Sequence, residues 1–170
     1  MNISPTPWQQ TVNRFLVAAI VAQWLALLGP SWVYIPPTAA APAAYLSFAD
    51  LMAISEVSAT GLQAAFYQWI AWMFALVTTV IAIVAVRSRS TAAGLLCVAA
   101  GLVQVVVVLA VNGAAAPSLT AALQSVGYTR IGTVLFIGGA VLLIVAGVKQ
   151  ARSVPSAAGG RFGTVAPSAA

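Results

Sequence analysis

Two long apolar runs, residues 63–86 and 91–111, are separated only by Arg87-Ser88-Arg89-Ser90. At about 1.5 Å per residue, each run is long enough as a helix to cross a hydrocarbon core roughly 30 Å thick. Four residues hold little more than a tight turn, so the two helices must lie antiparallel and adjacent. The two arginines predict a cytoplasmic turn, because short cytoplasmic loops carry an excess of Lys and Arg. Such a hairpin excludes an ordinary soluble domain, and the composition agrees: 62% of the residues are hydrophobic and 5% charged, against about a quarter charged in soluble domains. The expected fold class is an all-α membrane protein.

The rest of the chain can be placed from this hairpin. Residues 15–34 form a further apolar run after Arg14, and residues 131–148 another after Arg130, ending at Lys149 and Arg152. Four transmembrane helices are therefore expected, at about 15–34, 63–86, 91–111 and 131–148. Trp8 is expected at the headgroup level, and Trp32 and Tyr34 in an outer aromatic belt. Phe66, Tyr67, Trp69 and Trp72 open the second span and are expected at the same outer interface. Gly29-Pro30 should kink or end the first helix. A signal peptide cleaved near Ala39-Ala40-Ala41 fits less well, since the apolar run is too long and ends too far upstream. After Pro36-Pro37 and Pro42, the stretch Ser47-Phe48-Ala49-Asp50 reads as a helix start, with Ser47 as the cap and Asp50 three residues on. Phe48, Leu51, Met52 and Ser55 share one face of this short helix, as expected for an element on the outer membrane surface or packed on the bundle. Another short helix is expected at 119–126. Residues 1–152 thus form one four-helix transmembrane domain, and 153–170, rich in Ser, Ala, Gly and Pro, a disordered cytoplasmic tail.

The charges order this layout. Arg14, Arg87, Arg89, Lys149, Arg152 and Arg161 fall on one side, and Asp50, Glu56 and Arg130 on the other. This bias predicts a multi-pass protein of the inner (plasma) membrane with both termini cytoplasmic. Basic residues scattered at helix ends are not the clustered soluble face of a nucleic-acid binder. With one cysteine, two acids and no histidine, neither a metal site nor a bound cofactor is expected.

Polar and small residues inside the spans are the candidate sites. Gln23, Gln68 and Gln104 lie away from span ends, where an amide facing lipid is costly. They are expected to make interhelical polar contacts; the alternative is a polar pocket for a ligand or lipid headgroup. Ala93, Cys97 and Gly101 stand four apart in the third span, and Gly132, Gly139 and Gly147 recur near two-turn spacing in the fourth. Small residues let helix backbones approach closely, so these stripes serve packing within the bundle or docking on a partner, with Gly139 the expected partner contact. Cys97 reads as a small packing residue, since no base or cation lies in sequence reach to activate it. Asp50, Glu56 and Arg130 read as solvated outer charges, or as an ion pair tying the first outer loop to the fourth span. The Arg-Ser-Arg turn is a topology signal that can also meet anionic lipid headgroups.

No span interior holds a charge, and no phosphate loop, carboxylate pair or nucleophile with a base is present. The expectation is therefore not an enzyme. The layout of four spans, both termini inside, a larger first outer loop with a short helix and a basic turn after span two resembles small four-span actinobacterial membrane proteins. Among them it is similar to the LucB family of accessory subunits of Mce lipid importers. That resemblance implies docking beside permease helices, and a role in assembly or regulation of lipid uptake. The expected function is a non-enzymatic accessory or regulatory subunit of a larger integral membrane complex, with membrane lipids as the other partners. A small oligomeric carrier or channel lined by glutamines, and a membrane sensor whose outer loop binds a ligand, are the alternatives.

Overall fold

A computed structural model describes residues 7–59, 61–114 and 129–153. Four helices in it are long and apolar enough to cross a membrane, so the chain is a multi-pass membrane protein. The first, α1, spans Pro7–Leu28. It begins and ends earlier than the apolar run at 15–34. Pro7 suits a first helical turn, where its missing N–H is not needed, and the polar residues that follow extend the helix below the apolar run. Gly29-Pro30 stops it at Leu28. The chain then forms a feature absent from the sequence reading, a short antiparallel hairpin of β1 (Val33–Ile35) and β2 (Ala44–Leu46), with Tyr34 opposite Tyr45. Prolines on the connection hold it extended, and Thr38 N–H to Ala41 O at 2.8 Å closes it.

Helix α2 (Phe48–Ser58) starts as the sequence predicts. The Ser47 hydroxyl accepts from Asp50 N–H at 3.2 Å, and the Asp50 carboxylate accepts from Ser47 N–H at 2.8 Å. The Ser47 hydroxyl also donates to the Asp50 carboxylate at 2.7 Å, and this bond first and the Ser47 amide second hold the Asp50 carboxyl below the usual aspartate range. Phe48 and Ser55 are buried and Leu51 and Met52 half-buried, so α2 packs its expected face on the bundle.

Helix α3 (Gly61–Ser88) crosses back. Residues Phe66–Ile70 form one wider turn, in which Ala71 N–H bonds Phe66 O five residues back. The extra residue shifts the inward stripe, which runs from Phe66 to Ala71, Ala75 and Thr78. Arg89 ends α3 in the left-handed region, φ 47° and ψ 33°. Glycine is the usual residue there, and any other costs about 1 kcal/mol. Ser90 then caps α4 (Thr91–Ala114), accepting from Ala93 N–H at 3.2 Å. The last helix, α5, is Ile131–Ser153 and carries Lys149 and Arg152 in its final turns, beyond the expected end at 148. The expected helix at 119–126 and the tail beyond Ser153 lie outside the described residues.

The four long helices run alternately up and down. The end with the α3–α4 turn is called the turn end below, and the end with the β-hairpin the hairpin end. Helix α5 packs most closely against α1 and α4, with α3 closing the ring. Two apolar clusters fill the bundle. One at the turn end is aliphatic, built on Leu16, Ala82, Cys97 and Leu143. The other, at the hairpin end, is aromatic, built on Trp32, Phe48, Phe66 and Phe136. Trp32 is its centre, not a belt residue: it is 2% exposed, with ring centroids of Phe48 at 5.0 Å and Phe136 at 5.4 Å. Its polar groups are all used. The indole N–H donates to Ala26 O at 2.6 Å, its amide donates to Leu46 O at 2.7 Å, and its carbonyl accepts from Arg130 N–H and the Thr133 hydroxyl. Phe66 and Tyr67 are buried in the same cluster, so of the expected interfacial group only Trp69 is largely exposed.

Candidate functional site: a buried polar layer and the small-residue seams

Between the two apolar clusters lies a thin polar layer. Gln23 sits on α1 between Ala19 and Ala26, Thr78 on α3 between Ala75 and Ile81, and Gln104 on α4 between Cys97 and Val108. All three are fully buried. Gln23 Nε2 donates to Gln104 Oε1, and Gln104 Nε2 donates to Thr78 Oγ1 at 2.8 Å. Three helices are thus joined by two bonds that both pass through Gln104. Gln23 Oε1 has no hydrogen-bond partner among the described residues. Amides and a hydroxyl do not ionise near neutrality, so this layer does no acid–base chemistry; it fixes which helix faces meet.

Gln68 departs from the expectation. It is exposed near the hairpin end of α3 and takes no part in the layer. Phe66, Tyr67 and Ala71 occupy the inward positions of the widened turn, which leaves Gln68 on the outer face. Two polar residues that the sequence reading missed do the joining instead. Thr78 was hidden because a threonine can bond its own helix and reads as neutral in an apolar run; the Thr78-Thr79 pair was the available signal. Thr79 itself accepts from the Trp24 indole at 3.1 Å, a second tie between α1 and α3. Gln150 was hidden beside Lys149, where it read as a span end. It is 3% exposed and donates to Ala85 O at 3.1 Å and Ser90 O at 3.2 Å, binding α5 to the α3–α4 turn.

The small residues lie inside the bundle, which assigns them to packing. A Cβ on Gly94 would come within 2.7 Å of Gly147 O, and one on Gly147 would collide with Gly94 O and come within 2.8 Å of Cys97 Cβ. A Cβ on Gly101 would come within 2.7 Å of Ala140 O, and one on Gly132 would collide with the Trp32 indole. Ala93 and Cys97 are buried in the same α4–α5 seam. Gly139, expected as a partner contact, instead faces α1: its Cβ would meet Gln23 Cγ at 2.7 Å and Ala19 O at 3.0 Å. The reason is spatial. Gly139 makes the room that the Gln23 side chain occupies, so it is covered within the monomer.

Among the described residues no ion pair joins Asp50 or Glu56 to Arg130, the alternative to solvated outer charges. Asp50 is engaged with Ser47, Glu56 is exposed, and the Arg130 guanidinium lies over the Tyr34 ring at 4.6 Å. A cation over an aromatic face is favourable, and this contact ties the β-hairpin to the start of α5. Comparison of the chain with known protein families, curated proteins and solved structures finds no match.

Proposed function

We propose that this chain is a non-enzymatic accessory subunit of a larger membrane complex, and that the partner seats on the hairpin end. One observation carries the reading. Apolar residues on the four spans face outward as lipid requires, but others are exposed outside the spans: Val57 at 92%, Tyr45 at 65% and Ile54 at 46%. Val57 and Ile54 lie on the face of α2 opposite buried Phe48 and Ser55, and Leu62 and Trp69 extend the same end onto α3. The chain itself leaves this surface uncovered, and a docking site uses such a patch. Gln23 and Gln104 bond each other in a filled core, which favours a scaffold over a glutamine-lined channel. A lipid-uptake permease, the partner class implied by the sequence resemblance, is the first candidate to test. The charge bias further supports placing the turn end in the cytoplasm.

Purification in mild detergent with mass spectrometry tests the reading. The expected result is a larger membrane protein at fixed stoichiometry with the wild type, lost with Val57→Glu, while the variant keeps its abundance and thermal stability. A wild-type chain that purifies as a lone monomer, or a partner retained in full by Val57→Glu, overturns it.

A further inference from the structure

We propose that the turn end holds a site for the phosphate of an anionic phospholipid, with Arg89 and Lys149 as its cationic contacts. Two grooves open there on either side of Trp8, which is 41% exposed. One is lined by Trp8, Gln9, Asn13, Arg89 and Gln150, the other by Trp8, Thr11, Lys149 and Ser153. Both cations are exposed residues, and the Lys149 ammonium lies over the Phe15 ring at 5.6 Å. Arg89 Nη1 lies 3.5 Å from Gln9 Oε1, at the outer limit of a hydrogen bond, which leaves most of the guanidinium's donor capacity for a ligand. Val12 and Ala85 complete a largely apolar lining, on which Arg89 and Lys149 place positive charge. No acid balances it: Arg14, Arg87, Arg89, Lys149 and Arg152 are at this end, and Asp50 and Glu56 are on α2 at the other. The first turn of α1 carries no acid either.

The positive-inside bias accounts for cations at this end, but not for where Arg89 stands. It occupies a left-handed backbone position at which glycine is favoured. Strain of this kind concentrates where a side chain has work to do. An arginine held there projects from the tight turn across the start of α1, and its planar fork matches a phosphate. Trp8 between the two cations is the ring that seats at headgroup depth. Exposed cations for phosphate oxygens, apolar helix faces for acyl chains and an exposed tryptophan fit a phospholipid headgroup.

The test is thermal unfolding of the purified full chain in neutral detergent, titrated with phosphatidylglycerol, phosphatidylcholine or soluble glycerol phosphate. Phosphatidylglycerol is expected to raise the midpoint, and the other two are not. Each of Arg89→Gly and Lys149→Gln should weaken the apparent affinity about fivefold, and the pair about thirtyfold. Arg89→Gly is the informative variant, because relief of the backbone should keep or raise its lipid-free midpoint while its lipid response falls. Arg87→Gln, outside both grooves, should respond as wild type. An undiminished response in the double variant, or an equal loss with Arg87→Gln, overturns the site. An equal shift with soluble glycerol phosphate overturns the lipid as its ligand.

Discussion

Gln104 is the residue on which the polar layer depends. It accepts from Gln23 and donates to Thr78, so its loss leaves both without that partner. Thr78 can turn its hydroxyl to its own helix, as Thr79 does to Ala75 O at 2.8 Å. Gln23 has no such recourse, since its Oε1 already lacks a partner among the described residues. Gln104→Leu is therefore expected to destabilise the bundle by about 1–3 kcal/mol, the cost of a stranded buried amide. Gln23→Leu with Gln104→Leu should cost less than the two single changes added together, because the double change strands no amide. Unfolding in detergent mixtures measures all three, and strictly additive losses would show that the two amides do not act as a pair.

At the scale of elements, the seams along α5 depend on the absence of side chains at particular positions. The contrast between two of its glycines gives a prediction. Gly147→Ala would press a methyl group onto the Gly94 carbonyl and the Cys97 Cβ, and backbone cannot yield cheaply. A loss of about 1–3 kcal/mol is expected, the usual range for overpacking. Gly138→Ala meets nothing within 4 Å. It should be neutral or stabilise by up to about 1 kcal/mol, through better helix propensity. Thermal unfolding of the two variants in one detergent checks the ordering; equal effects would mean that α4 and α5 do not meet along this seam.

For the whole molecule, the alternation of four helices puts the α3–α4 turn and both ends of the described chain on one side, opposite the β-hairpin and α2. Which side faces the cytoplasm is read from the charges. Single cysteines placed at Ser88 and at Glu56 in a Cys97→Ala background give the test. An impermeant thiol reagent added to intact cells is expected to label position 56 and spare position 88. Labelling of position 88 would invert the orientation, leaving the fold as described.

Hydropathy and turn chemistry by themselves determined the four spans, the Arg-Ser-Arg turn between two of them, and the start of α2. Length against bilayer thickness and the Ser47–Asp50 capping box are local properties, written in consecutive residues. The first span's ends were misread because Pro7 and Gly29-Pro30 bound the helix, whereas hydropathy marks only its apolar part. Which faces pack was decided by tertiary structure. In a helix that is apolar all round, lipid and core suit the same side chains, so periodicity carries little contrast between inside and outside. That is why Gln68 and Gln104 looked alike, why Trp32 and Phe66 looked interfacial, and why Gly139 looked available to a partner. One widened turn in α3 and the approach of α5 to α1 placed them. Thr78 and Gln150 acquired their roles only when groups distant in sequence, Gln104 for one and the α3–α4 turn carbonyls for the other, were brought within hydrogen-bond reach.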